Sequence, residues 1–156
     1  MCNLLKFEGK YDTYKIKGKE YIKGKLEFEG EYLEGKRWNG KGYDENGNII
    51  YELINGKRNG KGKDINYDEK LIYEGEYLYG KRNGKGKEYN YNYKLIFEGE
   101  YINGKRNGKG KEYNYNGELI YEGEYLSGKR WNGKGKEYLN GELLYEFNYS
   151  YGSKLF

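Results

Sequence analysis

The chain has 156 residues, among them 26 Gly, 22 Tyr, no Pro and no His, and only 35% of its residues are hydrophobic. So few aliphatic side chains cannot build a thick apolar core, and any core must be thin and aromatic. A net charge of +4, from 29 basic and 25 acidic residues, is too small to indicate nucleic-acid binding by itself. The lack of His and the single cysteine, Cys2, argue against the commonest catalytic base, thiolate metal clusters and internal disulfides.

The first part of the chain, residues 1–55, is the least regular. Its Gly-Lys-Arg tripeptide at Gly35 precedes the next one by 21 residues, and a variant aromatic motif, Phe7-Glu-Gly-Lys-Tyr11, stands near the start. We predict a local kink or bulge near residues 43–55. The N-terminal residues lack the apolar stretch of a signal peptide and no segment is apolar enough to span a membrane, so we expect a cytoplasmic protein, either a free adaptor or a subunit of a cytoskeletal or viral particle.

Regular units follow over residues 56–142, where the Gly-Lys-Arg tripeptides recur every 24 residues, at Gly56, Gly80, Gly104 and Gly128. The segment Leu95 to Ile102 alternates in side-chain type and predicts a strand, and Gly108 to Tyr113 predicts its partner. Asn103 to Gly108, between them, contains Asn-Gly pairs that suit a hairpin turn. We therefore predict one β-hairpin per repeat.

The glycines of each unit provide the surface on which its aromatic rings pack. A glycine on a neighbouring strand exposes flat backbone, which a Tyr or Phe ring can cover. We predict that Glu98 and Glu100 meet Lys109 and Lys111 on the opposite face. Residues 143–156 predict a capping unit, because Phe147 stands where the internal units carry glycine.

The segment Tyr121 to Gly135 resembles the MORN repeat (membrane occupation and recognition nexus), with its pattern aromatic-x-Gly-x-aromatic, Gly-Lys, Gly-x-Gly. The resemblance recurs in Tyr73 to Gly86 and Phe97 to Gly110 and spans roughly Phe7 to Tyr149. The units are also similar to variant MORN repeats of antitoxin-like proteins. The resemblance implies an all-β fold over residues 1–156: one repeat domain formed by an elongated, twisted, single-layer antiparallel meander of tandem hairpins, solenoid-like, that serves as a non-catalytic scaffold, dimerisation module or adaptor.

Two sets of residues are candidates for binding. Basic pairs at the turns could meet phospholipid headgroups, nucleic-acid phosphates or an acidic protein, although solubility alone would also explain them. An aromatic face could dock a partner, or its rings could simply hold the sheet together. The basic candidates are Lys36, Arg37, Lys57, Arg58, Lys81, Arg82, Lys105, Arg106, Lys129 and Arg130, and the aromatic candidates are Phe28, Tyr32, Tyr73, Tyr77, Phe97, Tyr101, Tyr121, Tyr125, Tyr145 and Tyr149.

Candidate chemistry is weak by comparison. The carboxylate pair Glu74 and Glu76 recurs in every regular unit, as a solvated strand face would. The loop Gly35 to Gly42 approaches a phosphate-binding loop but lacks its final hydroxyl residue. We therefore expect no enzyme activity, no metal and no cofactor. The leading hypothesis is a structural or adaptor scaffold that binds a protein partner or a second copy, the alternative is peripheral binding to anionic lipid, and nucleic-acid binding ranks third.

Overall fold

The computed structural model describes residues 5–6, 15–66 and 70–155. All regular structure in these residues is β, in 14 strands. No helix in the described part of the chain is long and apolar enough to cross a membrane. The strands are β1 (Leu5–Lys6), β2 (Lys15–Ile22), β3 (Lys25–Leu33), β4 (Lys36–Tyr43), β5 (Ile49–Ile54), β6 (Lys57–Ile65), β7 (Leu71–Leu78), β8 (Lys81–Tyr89), β9 (Leu95–Ile102), β10 (Lys105–Tyr113), β11 (Leu119–Leu126), β12 (Lys129–Leu139), β13 (Glu142–Ser150) and β14 (Ser153–Leu155).

The chain forms two compact units, one of residues up to Gly62 with Tyr77–Lys81, the other of Lys63–Glu76 with the residues from Arg82 onward. In the first unit, the strands from β1 to β6 form a series in which neighbours in the sequence pair antiparallel, ending with the β5–β6 pair. In the second unit, β8 to β14 do the same. The predicted all-β fold of antiparallel hairpins is confirmed. The predicted variant motif at Phe7 to Tyr11 lies outside the described residues.

The hairpin turns are shorter than predicted. Asn103 and Gly104 alone connect β9 to β10, with φ angles of 52° and 85°. Two successive positive φ values define a type I′ turn, whose twist matches that of the flanking strands. Lys105 and Arg106 therefore begin β10 rather than forming part of the turn. Gly108, at φ 92°, lies in a bulge within that strand.

The opposite ends of the strands are joined by longer loops over residues 44–48, 90–94 and 114–118. In the last of these, the Asn114 side-chain oxygen accepts hydrogen bonds from the backbone N–H groups of Asn116 and Glu118, both at 3.0 Å. Asp44 and Asn90 organise their loops in the same way. These bonds satisfy backbone groups that would otherwise need water.

The predicted irregularity near residues 43–55 is present as a register shift between Gly42 and Tyr43. It is not special to this region, because the same shift occurs between Glu88 and Tyr89 and between Glu112 and Tyr113. The 21-residue spacing has another cause. Strands β4 and β5 have 8 and 6 residues, whereas β8 and β9 have 9 and 8, so the two strands together are three residues shorter.

The core is a single layer of aromatic rings lying on glycine backbone, as predicted. A Cβ added at Gly110 would stand 2.7 Å from the Phe97 ring. Phe147 faces Gly135, at the position where Gly123 faces Gly110, and is 7% exposed. The ring therefore fills a site that is backbone in the internal units, which confirms its predicted position.

The ion pairs of the opposite face differ in detail from the prediction. Lys111 stands across from Glu98, but its ammonium lies 3.4 Å from Glu122 on the other neighbouring strand. Glu100 accepts the backbone N–H of Lys109 at 2.8 Å. The bulge at Gly108 turns the backbone of Lys109 toward Glu100, so a backbone donor replaces the predicted ammonium.

Candidate functional site

The aromatic candidates form the core and do not provide a free surface. Tyr73, Phe97 and Tyr121 are 0% exposed, and the most accessible of the first eight, Tyr32 and Tyr77, reach only 6%. In the second unit the rings make successive edge-to-face contacts, with centroids 5.1 Å apart for Phe97 and Tyr125. Only Tyr145, at 37%, and the half-buried Tyr149 are accessible. The rings thus supply the cohesion of the sheet, which was the alternative interpretation of this face.

The arginines of the Lys-Arg pairs cover these rings. The guanidinium carbon of Arg82 lies 4.0 Å from the Tyr73 ring centre, and that of Arg106 lies 4.0 Å from the Phe97 ring centre. Cations attract the electron-rich faces of aromatic rings, and the arginine stem shields the ring from water. Arg37, Arg58 and Arg130 take equivalent positions over Phe28, Tyr51 and Tyr121.

Four of the arginines that cover a ring, Arg37, Arg82, Arg106 and Arg130, also meet a carboxylate of the preceding hairpin. Arg130 donates to Glu112 at 2.9 Å, and the Tyr125 hydroxyl donates to the same carboxylate at 2.7 Å. Arg106, Tyr101 and Glu88 form the same cluster, as do Arg37, Tyr32 and Glu20. Arg82 uses Asp64 instead, at 2.9 Å. In four of the five predicted basic pairs, the arginine charge is therefore neutralised by an ion pair within the sheet.

Two carboxylates of these clusters, Glu88 and Glu112, have lowered pKa values. Burial alone would raise the pKa of Glu112, but hydrogen bonds from Arg130 and Tyr125 outweigh it and lower the pKa below its usual range. Glu88 has a lowered pKa for the same reasons, with Arg106 and Tyr101 as its donors. Burial and then the neighbouring carboxylate raise the pKa of Tyr101 and Tyr125 well above 10. The clusters thus hold fixed charges and neutral phenols at ordinary pH.

The lysines of the same pairs behave differently. Because side chains alternate along a strand, Lys105 points away from the face that Arg106 covers. All five lysines are exposed, and none makes an ion pair with a residue in the described part of the chain. The exposed members of the predicted basic pairs are therefore the lysines, Lys36, Lys57, Lys81, Lys105 and Lys129, and not the arginines.

An aliphatic side chain accompanies each of these lysines across its turn. Ile102 stands opposite Lys105, and Leu126 stands opposite Lys129. Ile102 is 52% exposed and Leu126 is 45% exposed. The same pairing repeats in the first unit, where Ile54 is 54% exposed but Leu33 is half-buried. The Leu/Ile–Lys pairs are Leu33–Lys36, Ile54–Lys57, Leu78–Lys81, Ile102–Lys105 and Leu126–Lys129. Sequence analysis missed the aliphatic members, although their place just before each turn is visible as a repeated Leu or Ile.

Successive turns are tied together by a ladder of asparagines. The Asn107 side-chain oxygen accepts the backbone N–H of Ser127, the first residue of the next turn, at 3.1 Å. The Gly128 N–H of that turn donates to the Arg106 carbonyl at 2.8 Å. The asparagine ladder consists of Asn39, Asn59, Asn83, Asn107 and Asn132, each bonded to the turn that follows. This contact explains the repeated Asn-Gly-Lys-Gly motif and fixes the positions of the Leu/Ile–Lys pairs.

The two tryptophans pack beside turns. Gly152 lies against the Trp131 ring, and Gly56 lies against the Trp38 ring. Trp131 also borders a shallow, open groove, together with Leu126, Glu100 and Glu124. Within the described residues there is no group of three or more carboxylate, thiol or imidazole side chains that could hold a metal ion.

Comparison with known proteins gives one family. The MORN repeat model matches residues 52–63, 73–93 and 97–118. A search of curated proteins found no significant match. Two of the matched segments cover units in which the sequence resembles this repeat, so the predicted family is confirmed for this part of the chain.

Proposed function

Because this chain carries MORN repeats, we propose that it is a non-catalytic scaffold whose Leu/Ile–Lys pairs dock an acidic, partly apolar segment of a partner protein. The observation that supports the proposal is the repetition of one Leu/Ile–Lys pair, with an exposed lysine in each, at successive turns. An aliphatic side chain and an unpaired ammonium stand side by side in each pair. A partner that offers apolar side chains next to carboxylates would satisfy both.

The spacing and rigidity of the pairs favour a scaffold. Within one unit, neighbouring pairs are two strands apart, about 9 to 10 Å. Within each unit, the asparagine ladder and the half-buried Arg–Glu–Tyr clusters hold each hairpin against the next. A partner therefore meets a preformed surface, and little conformational entropy is lost on binding.

A direct test uses a short synthetic peptide of alternating Glu and Leu as the probe, followed by fluorescence anisotropy. The test variant replaces Ile102, Lys105, Leu126 and Lys129 with Ser. The matched control replaces Lys109 and Lys134 with Ser, because these are exposed lysines of the same unit that lie away from the turns and the change removes the same charge. We expect the test variant to lose binding and the control to keep it. Equal binding by both, or no binding by the unaltered chain, would contradict the proposal.

Anionic membrane is the second candidate, favoured by the presence of aliphatic and basic side chains in the same pair. The lysines would contact lipid phosphates while Leu or Ile enters the headgroup boundary. Sedimentation with vesicles of phosphatidylcholine alone and with phosphatidylserine separates the two candidates. The membrane would be favoured if the unaltered chain bound only vesicles that contain phosphatidylserine, the test variant lost this binding, and the acidic peptide did not bind.

The partner could also be a second copy of the chain. Light scattering behind a sizing column, at low and high salt, measures the mass of the unaltered chain and of the test variant. A dimer that the test variant loses would identify the second copy as the partner. A monomer in all conditions would leave a different acidic protein as the occupant.

A further inference from the structure

The sequence is rich in Asn-Gly dipeptides, which can modify themselves. The glycine nitrogen attacks the asparagine side-chain carbonyl carbon, a C–N bond forms, and ammonia leaves. Water then opens the resulting succinimide ring to aspartate or isoaspartate. The net reaction is hydrolysis of the side-chain amide, in which amide and water give carboxylate and ammonium. Glycine permits this attack because it has no Cβ to obstruct the ring. The dipeptides begin at Asn39, Asn46, Asn55, Asn59, Asn83, Asn103, Asn107, Asn116, Asn132 and Asn140.

The structure protects half of these sites through the asparagine side chain. All members of the asparagine ladder use the side-chain oxygen as an acceptor for the next turn. Asn132 also donates its amide to Glu124 at 3.0 Å, and Asn39 donates to Glu31 at 2.8 Å. Ring closure would have to rotate the amide and break these bonds. The ladder asparagines are therefore held in an unreactive position.

A second group is protected through the glycine nitrogen. The Gly56 N–H donates to the Trp38 carbonyl at 2.7 Å, and the Gly104 N–H donates to the Arg82 carbonyl at 2.8 Å. The Gly47 and Gly117 N–H groups donate within their loops, both at 3.0 Å. A nitrogen whose proton is shared with a carbonyl is a poorer nucleophile and cannot turn toward the side chain. Asn46, Asn55, Asn103 and Asn116 are restrained in this way.

Asn140 has neither protection. It lies with Gly141 in the exposed turn between β12 and β13, at φ 51°. Neither the Asn140 side chain nor the Gly141 N–H makes a hydrogen bond with any residue that the structure describes. A Cβ at Gly141 would lie 3.6 Å from the Glu118 carboxylate, and nothing else crowds that position. We propose that Asn140 is the site at which this chain deamidates spontaneously while folded.

The product would change the charge of one edge of the second unit. A new carboxylate at position 140 lowers the net charge from +4 to +3, and the adjacent Gly141 lies beside the Glu118 carboxylate. Repulsion between the two carboxylates loosens this turn. The Leu/Ile–Lys pairs lie at the other ends of the strands, so the modification is independent of the proposed docking surface.

The test is peptide mass spectrometry of the full chain after incubation at mildly alkaline pH. Trypsin releases residues 137–154, which contain Asn140, and residues 95–105, which contain Asn103 in the same type of turn. We expect the folded chain to modify the first peptide about 5-fold faster than the second, the effect of one hydrogen bond on the Gly104 N–H. In concentrated urea the two rates should become equal, because unfolding frees both glycine nitrogens.

Equal rates in the folded chain, or modification of Asn103 before Asn140, would overturn the proposal. Asn140→Gln provides the matched variant, since glutamine must close a larger ring and reacts far more slowly. It should abolish the early loss of charge seen by isoelectric focusing of the intact chain. Persistence of that charge change in the variant would show that another asparagine reacts first.

Discussion

Glu112→Gln is the most direct test of how neighbouring repeats are held together. Glu112 is on β10, whereas its donors Tyr125 and Arg130 belong to the following hairpin, at 2.7 and 2.9 Å. The substitution keeps the shape of the side chain and removes only its charge. We expect it to destabilise the junction between the two hairpins.

The magnitude follows from the two bonds. A hydrogen bond to a charged group contributes about 1.5–3 kcal/mol, whereas a neutral one contributes about 0.5–1.5 kcal/mol, a difference of roughly 1 kcal/mol for each bond. The Glu112 side chain is 24% exposed, so solvent screens part of the effect. We expect the free energy of unfolding to fall by about 1–2 kcal/mol.

Urea unfolding followed by Trp131 fluorescence is the appropriate assay, because Trp131 follows Arg130 directly on β12. A Trp38→Phe background leaves Trp131 as the only tryptophan. The matched control is Glu122→Gln, since Glu122 pairs with Lys111 at 3.4 Å but its side chain is 55% exposed. Exposed pairs contribute little, and we expect a loss of about 0–0.5 kcal/mol for the control.

The pH dependence gives the same test a second readout. The pKa of Glu112 is lowered in the folded chain, so its contribution is present above the unfolded value, about 4.3, and is lost as the pH falls through the folded value. A protonated Glu112 is electrically equivalent to glutamine. The difference in the free energy of unfolding between the unaltered chain and Glu112→Gln should therefore disappear in acid. The reasoning would be refuted if Glu112→Gln lost no more free energy of unfolding than Glu122→Gln at neutral pH. It would also be refuted if the loss persisted in acid.

Three further predictions concern the glycines, the asparagine ladder and the tyrosines. Gly110→Ala should destabilise the second unit by about 1–3 kcal/mol in urea unfolding, because the new methyl group would stand 2.7 Å from the Phe97 ring; a loss below about 0.5 kcal/mol, typical of a surface substitution, would contradict the packing. Asn107→Ala should speed hydrogen exchange of the Ser127 amide, whereas Asn116→Ala should leave it unchanged. Burial and then Glu98 raise the pKa of Tyr113 to about 12, so the contribution of the neutral Tyr113 phenol to stability is present below about pH 10 and is lost as the pH rises toward 12. Absorbance titration should detect late tyrosine ionisation, and Tyr113→Phe should reduce the late component by one tyrosine.

Local features of the fold were predictable from the sequence. The alternation in Leu95 to Ile102 gave the correct strand and placed Phe97 and Tyr101 on the covered face, because the pleat fixes the side of each residue once a strand is assumed. The glycines opposite the rings and the position of Phe147 were predictable for the same reason. Turn length was not, because Asn103 to Gly108 contains two Asn-Gly pairs and only strand pairing decides which of them makes the turn.

The sequence by itself determined that this protein is a series of antiparallel hairpins with rings lying on glycine, because those features follow from periodicity within about ten residues. Only the tertiary structure determined which residue of each Lys-Arg pair is covered and which is exposed. Arg106 covers Phe97 and meets Glu88, 18 residues earlier, whereas Lys105 stays in solvent beside Ile102. The division arises because adjacent residues of a strand face opposite sides of the sheet, and the partners that fill one side come from other hairpins. Contacts at that separation leave no local pattern in the sequence.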